Sequence, residues 1–480
     1  MTSALAEKPP PLLLALAPIA ALFTAIVAGV AAFGFSSDLL LVSILLAAFV
    51  AGLGARYAGK SWNDIQAATG RRIADALAAI LILLSIGALL GSWMFSGTIP
   101  LMVALGVDLI DPHFMALTAF VATAMMSIIS GTSWGSAGTI GVALMGAAHA
   151  MGAPLAPVAG AVISGAYFGD KLSPLSDMTN IAAIGAGADL YKHIRHMLWT
   201  SLPPTAIALV VYALIGAFSA SSSGATITAA GDVRANLELV YRLDLFAALP
   251  LLVALAGVAR RYPPALVIIA SSVLALIIGI VVQHFPAKAA LSTFVAGFDI
   301  NAVAPSADVS SSLASLLNRG GLFSMAPTLI FIIAAFILAA SMEISGALTR
   351  LLNALLHSVR SAFGLVAATL GAGAMMVAMT SHGGVTALIV GGLFRDSYRA
   401  RGLAPENLSR TIEDSATVTE PLMPWTVSGL FMATTLGVAT IDYLPWAVFC
   451  YLGPLFTLIF ASLYEATGWG LAKTKSAETR

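Results

Sequence analysis

The 480-residue chain is 59% apolar and only 10% charged, with 23 basic and 23 acidic side chains. Soluble domains carry about a quarter charged residues, so this composition excludes an ordinary soluble protein and reads as an all-α, polytopic membrane chain. Zero net charge gives no support to a nucleic-acid surface, and a single cysteine, Cys450, excludes an internal disulfide and argues against a cysteine metal cluster.

A span takes about 20 apolar residues. In chain order, spans are expected near 11–33, 36–56, 74–107, 155–188, 197–218, 243–260, 264–284, 323–357, 405–438 and 441–463. The first reads as a retained helix rather than a cleaved signal. Segment 61–73 is amphipathic and suits the membrane surface. Two further apolar stretches, 114–152 and 361–394, are interrupted by "SGTSWGSAGT" (130–139) and "TSHGG" (380–384) and have legs short for a crossing. Both are expected to be re-entrant hairpins, which survive only when buried in protein or facing a water-filled cavity. The serine-rich stretch 285–322 is expected to hold a surface helix outside the membrane.

Charge tests this topology. With ten crossings and two hairpins, 18 of the 23 Lys and Arg fall on the side of the two termini and four (Arg234, Arg242, Lys288, Arg319) fall opposite. Positive loops face the cytoplasm, so both termini are expected there, in a bacterial cytoplasmic membrane. Trp62, Trp199, Trp446 and Trp469 fit an interfacial belt, whereas Trp93, Trp134 and Trp425 abut the polar motifs and are expected to wall them.

The chain also repeats itself. "SWMFSG" (92–97) answers "SMEISG" (341–346) at an offset of 249, "TSWG" (132–135) answers "TSHG" (380–383) at 248, and Asp170-x-x-Ser173 answers Asp414-x-x-Thr417 at 244. Residues 1–218 form one half and 243–480 the other, joined by an extracellular linker, 219–242. Five crossings per half make the second half enter from the opposite side, so the repeat is inverted, as in many secondary transporters.

"SGAYFGDKLSPLSD" (164–177) breaks the fifth span: Pro174 cannot continue the helix, and Gly169 is expected to loosen the turn before it. Asp170, Ser173, Ser176 and Asp177, with Thr132 and Ser133 at the first hairpin tip, form an oxygen-rich set suited to a hard cation such as Na+. Gly131, Gly135 and Gly138 would let the tip approach. The second half repeats the device. "EDSATVTEPLMPW" (413–425) places Glu413, Asp414, Thr417 and Glu420 against Thr380, Ser381 and His382. Ionisable groups inside a membrane are costly and point to function. Asp170, Asp177, Glu343, His382, Glu413 and Asp414 are the proton-coupling candidates. One carboxylate holds either a proton or Na+, and that competition couples the two fluxes. Lys171 can balance the charge of an ion-free state. "GARYAGKS" (54–61) spells a phosphate loop, but it follows a membrane helix in a chain without a nucleotide-binding fold, so nucleotide binding is rejected. No zinc-protease or nucleophile-elbow motif is present, and no enzyme activity or cofactor is expected.

At "GSWMFSGTIP" (91–100), "SGTSWGSAGTIGVALMG" (130–146), "SGAYFGDKLSPLSD", "HIRHML" (193–198) and "EDSATVTEPLMPW", the sequence resembles the NhaC family of Na+/H+ antiporters, within the ion transporter superfamily. The resemblance implies Na+/H+ exchange, two inverted repeats with hairpins, and often a homodimer. It also implies a mobile transport domain (74–190 and 323–438) moving against a scaffold. The sequence departs from the family pattern at Glu420, where a small residue is commoner, and at Thr426, where Asn is. The family includes members that exchange Na+ and protons for malate and lactate, and others linked to amino acids. A Na+-coupled organic anion or amino acid is therefore the alternative substrate.

Overall fold

A computed structural model describes residues 10–474, apart from 35, 110, 220–234, 236, 261, 305–316, 358 and 382. Most of the expected linker 219–242, part of 285–322, and His382 thus lie outside the described residues. The described chain is helical: α1 (Leu12–Phe33), α2 (Ser37–Tyr57), α3 (Trp62–Asp75), α4 (Leu77–Phe95), α5 (Thr98–Leu109) and α6 (Met115–Ser130) come first. Then α7 (Ser133–Ser136) runs through a π-helical turn (Ala137–Gly141) into α8 (Val142–Ala150), followed by α9 (Leu155–Leu172), α10 (Asp177–Ala186) and α11 (Leu190–Ser219). The second half has α12 (Leu249–Ala259), α13 (Pro264–Val281), α14 (Ala287–Ala296), α15 (Ala326–Ile344), α16 (Ala347–His357), α17 (Ala362–Thr380) and α18 (Gly383–Ala400). It closes with α19 (Pro405–Ile412), a π-helical turn (Glu413–Thr417), α20 (Val427–Leu436) and α21 (Val448–Thr467).

Among the described residues seven helices are long and apolar enough to cross a membrane, or nine when each of two bent pairs counts as one span. Ten crossings were expected. The expected spans 155–188 and 405–438 are each divided into two helices, and 243–260 and 264–284 hold shorter ones, Leu245–Gly257 and Ala265–Val281; two other expected spans end early. The expected helix 74–107 stops at Ser96 because Gly97 takes a left-handed φ of 80°, and 323–357 stops at Ser345 because Gly346 does so at 75°. Only glycine adopts that conformation without a Cβ clash, so both "SG" pairs end a helix. The first leg of each expected hairpin is not short: Pro112–Ser130 and Ala362–Thr380 each run 19 residues, long enough to span. The helix α14, in the stretch expected to hold a surface helix, is exposed on one side and packs its other side on α4, where Gly91 leaves room for the Thr293 carbonyl.

The phosphate-loop look-alike has a plain local role. Ser61 and Asp64 form a reciprocal capping box that starts α3. Arg72, on the last turn of α3, then reaches Glu343 at 2.6 Å, tying this helix to the end of α15.

The glycines of the "SGAYFGD" motif serve packing rather than the break. A Cβ on Gly165 would lie 2.4 Å from the Phe120 carbonyl oxygen, and one on Gly169 would lie 2.5 Å from that of Ala124. Both glycines are inside α9 and let the α6 backbone lie directly against it. Gly165→Ala should therefore destabilise the protein by about 2 kcal/mol or more, as overpacking does. Thermal melting in detergent should show this, with Gly371→Ala, where nothing lies within 4 Å, as the unchanged control. Two apolar clusters form the interior. One gathers α4, α6, α8, α9 and α13; the other gathers α1, α2, α15, α17 and α18.

Candidate functional site

Two tight helix–helix turns and two helix breaks converge. At the first turn Gly131 ends α6 in the left-handed region (φ 68°) and Thr132 caps α7, accepting from Gly135 N–H at 3.2 Å. A Cβ on Gly131 would meet Leu175 at 2.6 Å, so glycine lets this tip seat against the α9–α10 break. At the second turn Ser381 takes the same left-handed conformation (φ 53°), rare for a side chain other than glycine. Each turn is cross-braced by a hydroxyl pair: Ser130 to Ser136 at 3.2 Å and Thr380 to Thr386 at 3.0 Å.

The tips and breaks line one cavity of about 580 Å³, with Thr132, Ser133, Asp170, Ser176, Asp177, Ser381, Gly383, Thr417 and Glu420 in its wall. Asp170 is buried on the last turn of α9, and its Oδ2 accepts from Ser133 Oγ at 2.7 Å. Asp177 is the first residue of α10 and is exposed into the cavity; the cap of that helix is Ser176, which accepts from Thr179 N–H at 3.3 Å. Glu420 faces the second tip, where a Cβ on Gly383 would lie 3.1 Å from Glu420 Oε2. Trp134 walls the cavity, stacked on Phe431 with centroids 4.2 Å apart.

Several expected site residues lie elsewhere. Ser173 donates to the Ile128 carbonyl at 2.8 Å and so braces the break against α6. Asp414 is wholly buried outside the cavity wall. It forms an ion pair with Lys171, and its Oδ2 accepts from Thr200 at 2.8 Å and Thr457 at 2.7 Å. Lys171 therefore pairs across the molecule with Asp414 and not with its neighbour Asp170. Glu343 is half-exposed and bonded to Arg72. Glu413 is buried beside the cavity and does not line it. Trp93 donates to Ser271 at 2.9 Å, away from the cavity, and Trp425 donates to the Ala378 carbonyl at 2.9 Å. Sequence reasoning missed Tyr167, which lines the cavity and bonds Ser428, the second residue of α20.

The half-helices carry their own register. α10 and α20 are both ten residues long, capped by Ser176 and Thr426 and ended by left-handed Gly187 and Gly437. All these positions, together with Pro174 and Pro424, Gly131 and Ser381, and both hydroxyl braces, differ by 250. In that register Asp170 stands opposite Glu420, and Ser133 opposite Gly383. The sequence match that paired Asp170 with Asp414 is offset by 244 and aligns a cavity carboxylate with a buried ion pair. A usable signal was present in the sequence: "DKLSPLS" (170–176) and "EPLMPWT" (420–426) share acid, Leu, Pro and hydroxyl at the same spacing.

A helical chain with many membrane-grade spans, broken around a carboxylate-lined cavity, is a multi-pass membrane transporter in its build. The chain belongs to the Na+/H+ antiporter family, which residues 165–465 match; this is a family of transporters, not of enzymes. It is 42% identical, over 97% of this chain and 98% of the relative, to an uncharacterized Na+/H+ antiporter of Haemophilus influenzae. It is 35% identical to the Na+/H+ antiporter NhaC of Alkalihalophilus pseudofirmus, covering 91% of this chain and 92% of the relative. It is 31% identical to a malate-2H+/Na+-lactate antiporter of Bacillus subtilis, covering 91% of both.

Proposed function

We propose that this protein exchanges Na+ for H+ across the bacterial cytoplasmic membrane by competition at the carboxylates of one cavity. The observation that carries the reading is the meeting of both turn tips and both helix breaks around Asp170, Asp177 and Glu420 in a single cavity. Asp170, with Ser133, Thr132 and Ser176, is the principal Na+ and proton site; Asp177 stands at its edge; Glu420, with Ser381 and Thr417, forms the related site in the second half. These are oxygen donors, the ligand class a hard cation takes. Only loaded carboxylates cross, so one ion leaves for the other to enter. The register of 250 supports an internal repeat, and the basic residues, by directing both termini to the cytoplasm, support its inversion. Segments 74–190 and 323–438 then form the moving part.

A second reading, Na+-coupled exchange of a small organic anion, is favoured by one observation. The cavity, at about 580 Å³, is the size of a small-molecule pocket rather than of a dehydrated ion. One proteoliposome assay separates the two. An imposed Na+ gradient should move internal pH with no organic solute present, and malate or lactate should leave the rate unchanged; a strict requirement for the solute would establish the second reading instead. In the same assay the sign of competition is fixed. Lowering pH fills the shared carboxylate with protons, so the apparent KM for Na+ should rise, approaching about tenfold per pH unit on the acid side if one proton displaces one ion. A KM independent of pH would remove competition as the coupling device.

A further inference from the structure

A second group of buried polar side chains lies outside the cavity, where α11 packs on α19 and the π-helical turn that follows it. His193 of α11 is wholly buried. Its Nδ1 lies 2.7 Å from Ser409 Oγ, and its Nε2 has no hydrogen-bond partner. One turn along, His196 Nε2 lies 3.1 Å from Asn407 Oδ1. On the π-helical turn after α19, Glu413 is fully buried and its carboxylate faces the Thr417 hydroxyl. Thr417, on the same π-helical turn, lines the ion cavity. Arg410, one turn before Glu413, is buried with Nε and Nη1 unpartnered.

These groups are neighbours. Lys171 lies within electrostatic reach of both His193 and Glu413, and Asp170 and Asp414 within reach of Glu413. Their pattern does not suit a structural network, in which buried charges are paired and buried polar atoms bonded. The nearby Lys171–Asp414 pair, with its two threonine donors, shows what a satisfied one looks like here. The unpartnered His193 Nε2 and Arg410 Nε and Nη1, beside a Glu413–Thr417 contact on a π-helical turn of the kind that recurs at functional sites, suit exchangeable water instead.

We propose that this cluster is a proton route separate from the ion's own: protons pass by way of His196, the His193–Ser409 pair and Glu413 to the cavity at Thr417, while Na+ enters through the cavity itself. Each hop passes one proton from an N–H or O–H donor to the next acceptor, directly or through water, and no electrons move. The inference rests on the Na+/H+ reading above.

The test uses purified full-length protein in proteoliposomes and compares two fluxes. Net Na+/H+ exchange needs proton delivery; radiolabelled Na+/Na+ exchange at constant pH does not. Glu413→Gln should slow net exchange at least tenfold and leave Na+/Na+ exchange within twofold of wild type. His193→Asn should do the same more mildly, at threefold or more, and it carries the comparison if Glu413→Gln does not fold. Equal loss of both fluxes, or a wild-type rate of net exchange in both variants, overturns the route. Asp170→Asn is the control for the ion site: it should lose both fluxes, and if it keeps both, the failure belongs to the site and not to the route.

Discussion

Asp170→Asn should yield a folded, membrane-inserted protein in which Na+-driven proton movement falls by at least about 100-fold. The substitution keeps the side chain's shape and leaves an oxygen to accept from Ser133 Oγ, now at 2.7 Å, so packing of the buried α9 end changes little. What disappears is the group that can be either protonated or anionic. A neutral amide cannot balance a desolvated Na+ and cannot hold the exchanging proton. Losing an interaction with a charged partner in a dry site costs up to about 3 kcal/mol, which is about two decades in affinity. Ser133→Ala removes only a neutral ligand and should raise the KM for Na+ by about tenfold, the equivalent of one hydrogen bond of about 1.4 kcal/mol. Glu420→Gln supplies the comparison across the two halves. If residues 170 and 420 hold equivalent sites, it too should cripple exchange. Wild-type rates in Asp170→Asn would remove the cavity as the site of coupling.

The span order and both broken helices were legible because they are written in residues with narrow backbone chemistry. Pro174 and Pro424 cannot continue a helix, and Gly131 takes a conformation that other residues avoid; the breaks at Gly97 and Gly346, inside expected spans, were not legible. Which polar side chain faces the cavity was not legible. The end of α9 is buried on nearly all sides, so it has no polar face to announce direction. Asp170 and Lys171 are adjacent, and adjacent helical residues point about 100° apart. One meets Ser133 and the other meets Asp414, a residue 243 positions away. Ser173 and Ser176 look alike in sequence, yet one braces α6 and the other caps α10 at the cavity. Arg72 and Glu343 find each other over 271 positions, which no local pattern encodes.

The match at 244 and the register of 250 differ for a chemical reason. Matching Asp with Asp chose Asp414, because identical residues score as equivalent. In the register of 250 the reach of the acid in each half changes with its partner. The first places a short Asp170 against a hydroxymethyl at Ser133; the second places a longer Glu420 against a glycine, Gly383, whose missing side chain leaves the space.

Asp414→Asn should behave unlike Asp170→Asn: it should lower thermal stability sharply before any question of transport arises. Both side chains of the Lys171–Asp414 pair are fully buried, and Phe449 packs near the ammonium, 5.9 Å from the ring centroid. The pair joins the broken helix of the first half to that of the second, and Thr200 and Thr457 extend the tie to α11 and α21. Removing one partner strands the other charge in a dry interior, which costs about 3–5 kcal/mol, while replacing both with apolar groups of similar volume is often neutral. Asp414→Asn and Lys171→Met should therefore each melt well below wild type in detergent, and Lys171→Met/Asp414→Leu should recover most of the loss. Na+/H+ exchange measured in the double variant then decides the role of the acid. Retained exchange would confine Asp414 to holding the two broken helices together. A stable double variant with no exchange would return Asp414 to the ion path, with Lys171 as the cation that stands in for Na+ when the cavity is empty.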